Sequence, residues 1–154
     1  MGTHYTGTKE EEFSLDAFIK LMRATETLNY SLNKHLAKKN ITASQFGVLE
    51  ALHHLGPQNQ KSLGDKLLKS GGNMTLVIDN LEKQELVKRT QDPDDRRALS
   101  ITLTEKGKKF INDLFPEHMG IIVEQFNVLT NEEKKQLAGL CKKLGIENAE
   151  NPKV

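Results

Sequence analysis

Apolar residues recur along this chain at helical spacing, switch briefly to a spacing of two, and then return to helical spacing. Leu15, Phe18, Ile19 and Met22, followed by Leu28, Leu32 and Leu36, draw one stripe along a long helix beginning near Phe13. Met1 to Thr8 are small and polar and stand outside the stripe, and Asn40 ends it. Thr42 followed by Gln45 predicts a capping box, in which each side chain satisfies the other's free backbone N–H. The helix it opens carries Phe46, Leu49, Leu52 and Leu55 and stops at Gly56-Pro57. A short helix over Ser62 to Leu68 follows, and Ser70-Gly71-Gly72 reads as a tight turn. Met74, Val77, Ile78 and Leu81 then fall at i, i+3, i+4 and i+7, the apolar face of an amphipathic helix. Two helices joined by a short glycine turn make a helix-turn-helix.

The next segment makes the pattern more specific. Leu86-Val87-Lys88-Arg89-Thr90 is a short strand, and residues 91–97 form a polar turn rich in Asp. Leu99, Ile101 and Leu103 then alternate with Ser100, Thr102 and Thr104, a second strand. A hairpin placed there is a wing. Thr104 caps the next helix, with Phe110, Ile111 and Leu114 on one face, and Pro116 should kink or break it. Apolar residues resume at Ile121, Ile122, Phe126 and Leu129. Thr130 and Glu133 predict another capping box, for a helix carrying Leu137, Leu140, Cys141 and Leu144 and closed by Gly145. The fold class is therefore mainly α with a small β-hairpin wing. Residues 43–104 form a winged helix-turn-helix lobe, with dimerisation helices at 13–40 and 105–145. The stripes on those arms exceed what a lobe of this size can cover, so they call for a partner chain.

Composition narrows the picture. At 154 residues, 36% hydrophobic and 28% charged, the chain suits one domain with an oligomerisation arm. It shows neither a signal peptide nor an apolar run near the roughly 20 residues of a membrane span, so a soluble, cytoplasmic protein is expected. A single cysteine excludes an internal disulfide framework and any multi-thiolate zinc site. Net charge is only +1, yet Lys61 to Lys109 holds 11 basic and 8 acidic side chains, against 11 and 13 elsewhere. A basic centre between acidic arms is compatible with nucleic acid and equally with a solvated, salt-bridged surface.

A duplex major groove admits one α-helix, and that helix's N-terminal residues meet the base edges. Asn73 offers an amide able to pair bidentately with adenine, while Met74 and Thr75 can touch a thymine methyl; alternatively, Asn73 and Thr75 are ordinary turn and cap residues. Arg96 and Arg97 at the hairpin tip suit a narrow, electronegative minor groove. Asp95 can orient the Arg97 guanidinium through a charge-assisted hydrogen bond. Lys61, Ser62, Lys69 and Lys88 are candidate phosphate contacts.

Taken together, Asp95-Arg96-Arg97 with Leu103-Thr104 and Gly107, and the block Asn73 to Glu82, resemble the MarR family of bacterial transcriptional regulators. The resemblance runs from about Phe13 to Leu144. It implies a homodimeric repressor on a pseudo-palindromic operator in double-stranded DNA, released by a small-molecule effector, often phenolic or aromatic. Where many members carry a basic residue early in the recognition helix, this chain has Leu76. The thiol-oxidation branch carries its reactive cysteine in the first helix, where this chain has none, so Cys141 reads as a small structural hydrophobe. Zinc-sensing members gather histidines and carboxylates, and His35 with Glu117-His118 resembles that set, although no H-x-x-x-H spacing supports it. His4, His53 and His54 read as surface or helix-end residues. No cofactor is implied. An enzyme is not expected, for want of a phosphate-cradling loop, a nucleophile motif or a histidine–metal pair. The remaining alternative is a winged helix serving only as a protein-interaction module, which usually lacks tip arginines and a polar recognition face.

Overall fold

The computed structural model describes residues 4–92, 94–95 and 97–150, apart from the side chains of residues 147, 148 and 150. The element order is α1 (Lys9–Lys38), α2 (Ala43–Leu55), β1 (Gln58–Asn59), α3 (Gln60–Leu67), α4 (Gly71–Lys83), β2 (Val87–Gln91), β3 (Leu99–Leu103), α5 (Glu105–Phe126) and α6 (Asn131–Glu150). Packing divides the chain into two compact units, one ending at His118 and the other beginning at Met119.

Local chemistry sets most helix ends of the first unit. Thr8 and Glu11 form a capping box that starts α1 a turn earlier than the apolar stripe suggested. At α2 the Gln45 N–H donates to Thr42 Oγ1 (3.2 Å) and the Thr42 N–H to Gln45 Oε1 (2.9 Å), as expected. Three C-termini share another device: Asn40, Leu68 and Glu85 adopt left-handed backbone, at φ of 59°, 53° and 60°. The following N–H then turns back onto the last helical turn: Ile41 to the Leu36 carbonyl (3.3 Å), Lys69 to Gly64 (2.9 Å) and Leu86 to Leu81 (3.0 Å). Ile41 and Leu86 bury themselves as they do so, which ties these helix ends to the core.

That core is drawn from every helix of the unit: Leu36, Phe46, Leu49, Leu52, Leu63, Met74, Ile78, Leu81, Ile111 and Leu114 form one buried cluster with Ile101 of the sheet. Burying a side chain of this size contributes about 1.5–3 kcal/mol before conformational entropy is set against it. The sheet is antiparallel in the order β1-β3-β2. β2 and β3 pair from Val87↔Leu103 to Gln91↔Leu99, the expected hairpin. The two-residue β1 was not foreseen; it pairs Gln58↔Ile101 and Asn59↔Ser100. A strand that short has no periodicity to read, and only β3 beside it makes it one.

Thr104 caps α5 as expected, accepting from the Gly107 N–H (2.9 Å) and donating its own hydroxyl proton to the Glu85 carbonyl (2.6 Å). Gly107 is required there, because a Cβ would collide with the Leu86 carbonyl. Pro116 does not break the helix, one of the two outcomes expected of it, for α5 runs on through it. Proline removes one hydrogen bond, to the carbonyl four residues earlier, but Asn112 and Pro116 are both exposed, and buried Leu114 and His118 hold the turn from the core side.

In the second unit Thr130 and Glu133 form the expected box opening α6: the Glu133 N–H donates to Thr130 Oγ1 (3.2 Å) and the Thr130 N–H to Glu133 Oε2 (2.7 Å). The amide of Thr130, and then its hydroxyl, hold the Glu133 carboxyl below its usual range. Two expectations fail here. Gly145 lies inside α6, which continues to Glu150. Cys141 is exposed, as are Leu137, Leu140, Leu144 and Ile146, so within one chain it is no core hydrophobe. Among the described residues no helix is long and apolar enough to cross a membrane.

Candidate nucleic-acid interface

The glycines after Ser70 are the first turn of α4 and not a loop. Ser70 is the N-cap, its Oγ accepting from the Asn73 N–H (3.4 Å). The turn between α3 and α4 lies one step earlier, at Leu68 and Lys69, where the left-handed Leu68 reverses the chain. Moving the helix start back by two residues changes which side chains its first turns present outward.

Met74 is 0% exposed and belongs to the core stripe with Val77, Ile78 and Leu81. It cannot touch a base, and this corrects its assignment as a reader; a residue on the i, i+3, i+4, i+7 stripe serves the core first. Asn73 and Thr75 are exposed, and Leu76, at 61%, is the exposed apolar residue between the stripes. The Thr75 hydroxyl donates to the Gly71 carbonyl (3.1 Å) and accepts from Gln60 Nε2 (2.6 Å), which also donates to Gly71 (3.2 Å). Gln60 therefore pins the start of α3 to the start of α4. Sequence reading missed it, since nothing local marks one glutamine among others.

A second missed residue joins α4 to the wing. Arg89 on β2 forks onto two α4 carboxylates, reaching Asp79 Oδ1 (2.6 Å) through Nη2 and Glu82 through Nη1. Its backbone N–H donates to the same Glu82 (3.1 Å). A planar fork on two carboxylates fixes direction as well as distance, which a lysine cannot do. The signal was available: a period of two puts Arg89 on the side of buried Val87, and Asp79 and Glu82 stand three apart on α4.

At the wing tip the Asp92 N–H donates to the Ala98 carbonyl (3.0 Å) and the Ala98 N–H to Asp95 O (2.9 Å). Asp95 Oδ1 accepts from the Arg97 backbone N–H (2.9 Å). The expected guanidinium contact is thus replaced by an Asx-type turn that orders the backbone and leaves Arg97 exposed. Arg96 lies outside the described residues.

The candidate phosphate contacts divide. Lys61 and Lys69 are exposed on and just beyond α3. Ser62 is half-buried, its hydroxyl donating to Gln58 Oε1 (2.9 Å), so its proton is committed within the chain. Lys88 is exposed on the opposite side of β2 from Arg89. It acts on Glu105, whose carboxyl is held below its usual range by hydrogen bond and charge from Lys108 and then by the charge of Lys88. That proximity offsets part of the charge Lys88 could offer a phosphate.

Away from this face, His35, Glu117 and His118 do come together. Lys39 pairs with Glu117 (2.9 Å), His35 Nε2 stands 4.0 Å from the same carboxylate, and the imidazoles lie 5.9 Å apart, with Phe46 4.1 Å from His118. Burial, and then the neighbouring His35, push the His118 imidazole below its ordinary range. Among the described residues, no group of three or more His, Cys, Asp or Glu is arranged to hold a metal.

Comparison with known proteins bears on this face. The model of the MarR family matches residues 41–99, which span the helix pair and most of the wing. The HTH-type transcriptional regulator MhqR of Bacillus subtilis is 41% identical over 135 residues, 88% of this chain and 93% of that protein. AbsC, a MarR family transcriptional regulator from Streptomyces coelicolor, shares the fold at a TM-score of 0.84 and 21% identity, over 96% of this chain and 100% of that one. BpsR of Bordetella bronchiseptica, whose DNA binding is regulated by 6-hydroxynicotinic acid, does so at 0.76 and 23%, over 94% and 98%.

Proposed function

The chain belongs to the MarR family of DNA-binding transcriptional regulators, and on that premise we propose that it is a homodimeric repressor of a pseudo-palindromic operator, released by a small molecule. The observation that carries the reading is the clamp of Arg89 on Asp79 and Glu82, which makes α4 and the wing one rigid reader. Two such readers on a two-fold axis would enter major grooves one helical turn apart, about 34–36 Å, with the wings in the flanking minor grooves. Asn73 would read a base edge, Arg97 and Arg96 the minor groove, and Lys61 and Lys69 the phosphates.

Dimerisation is supported by what each unit leaves uncovered. In the first, Phe13, Phe18 and Tyr30 of α1 are exposed; in the second, Leu140 and Leu144 of α6 are. Apolar faces of this kind on helical arms are covered by a second copy of the chain. Release by a ligand follows the precedent of BpsR, and a phenolic or aromatic molecule would act by favouring a spacing of the readers that no longer fits the operator. Selecting bound duplexes from genomic fragments, then measuring protein mass and footprint on the winner, tests the whole reading. A dimer protecting two half-sites, displaced by a hydroxylated aromatic acid and repressing a reporter, is expected. A monomer at micromolar concentration, or a single protected half-site, would overturn it.

A further inference from the structure

The centre of the outward face of α4 carries a leucine above two glycines. Opposite the buried Met74, Val77, Ile78 and Leu81, a helical row runs through Gly72 and Leu76. The polar neighbours on one flank are already engaged, Thr75 by Gln60 and Gly71, and Asp79 by Arg89. Leu76 stays 61% exposed among them.

The glycines are the second observation. A Cβ added at Gly71 or Gly72 would meet nothing within 4 Å, and neither residue has positive φ. Nothing inside the protein therefore requires glycine at either place, although glycine loses more conformational freedom on folding than any other residue. Bare backbone at the first turn of α4 leaves room for something outside to come close. Leu76 follows Gly72 by one turn on the same outward row, so an exposed isobutyl group stands next to open backbone near the end of the helix that meets base edges.

We propose that Leu76, exposed one turn beyond Gly71-Gly72, reads the C5 methyl of one thymine in each operator half-site. The inference rests on α4 being the recognition helix and names what that helix recognises. In the major groove the methyl group is what thymine alone presents, and an aliphatic side chain is its natural partner. A leucine offers no hydrogen bond, so a cytosine or a guanine at that position would leave its own polar edge desolvated against it.

Replacing thymine by deoxyuridine removes that methyl and nothing else, which makes the test direct. A duplex recovered by wild-type full-length protein from a random pool is rebuilt with deoxyuridine at each thymine in turn. Wild type should lose about fourfold in affinity at one thymine per half-site, the size expected for one buried methyl group. Leu76→Ala should bind the parent duplex about that much more weakly and be indifferent to deoxyuridine at the same thymine. Leu76→Met, which keeps an aliphatic contact, should retain the sensitivity, and thermal melting of both variants should match wild type. The proposal is overturned if no thymine is sensitive, or if Leu76→Ala keeps the full wild-type sensitivity. Failure of wild type to enrich any duplex would instead overturn the operator reading beneath it.

Discussion

At the scale of the residue, Arg97 and Asp95 hold different positions at the wing tip. Arg97 is exposed on a hairpin loop, so truncating it opens no cavity. Arg97→Ala should weaken operator binding by about 1–3 kcal/mol with unchanged melting. Arg97→Lys should recover only part of it, because an ammonium is more strongly hydrated and suits a narrow groove less well. Asp95 acts through the backbone: its Oδ1 accepts from the Arg97 N–H, a job an amide oxygen can do. Asp95→Asn should therefore keep near wild-type affinity while Asp95→Ala loses some. Equal losses in a titration of both variants would return Asp95 to a role that depends on charge.

At the scale of the element, the junction of α4 with β2 is where the proposed reading is most exposed to test. Arg89→Lys keeps the charge and loses the fork, so affinity should fall more than stability. Asp79 and Glu82 are partly exposed, which limits the cost to the fold. A melting temperature that dropped in step with affinity would make Arg89 a fold residue only. Gly72→Ala should separate the same two quantities the other way. With open space around its Cβ, it should melt at or slightly above wild type, by helix propensity, and bind operator less well. Gly107→Ala should instead unfold the lobe, since its Cβ meets the Leu86 carbonyl.

At the scale of the whole molecule, pH and self-association are the readable properties. His118 is buried at 6% exposure, and its Nδ1 has no hydrogen-bond partner among the described residues. Its pKa is lowered from the ordinary 6.5, by burial first and then by His35; Glu117, facing His35, is itself paired with Lys39. Below pH 6.5 the unfolded chain therefore takes up the proton before the folded one does. The stability tied to a neutral His118 is complete above that pH and is lost as pH falls toward the folded pKa, by at most about 1.4 kcal/mol per pH unit. Melting wild type and His118→Gln from pH 8 to 5 checks this: the variant should show a shallower acid loss, and parallel curves would remove His118 from the account. Sedimentation should show a dimer, and a chain ending before Thr130 should lose solubility along with the α6 face.

What could be read from the sequence alone were the features whose partners lie within a few residues. The Thr42–Gln45 and Thr130–Glu133 boxes, the Asn40 helix end, the Thr104 cap and the β2–β3 hairpin rest on hydrogen bonds or alternations spanning one turn or one loop. Such signals are complete in a short window. The family resemblance was carried by motifs of the same kind. The stripe already set Met74 on the apolar face of α4, but only the tertiary structure showed that it is fully buried and so withdrawn from any base, while Leu76 stays exposed, because burial depends on which helices pack against α4. It alone joined Arg89 to Asp79 and Glu82, and Gln60 to Thr75, contacts seven to fifteen residues apart across different elements. It also carried α5 through Pro116, where packing on either side outweighs one lost hydrogen bond, and made β1 a strand by setting it against β3. Hydrogen bonds within one turn form wherever their residues are written, whereas a side chain's surroundings exist only once distant segments have met.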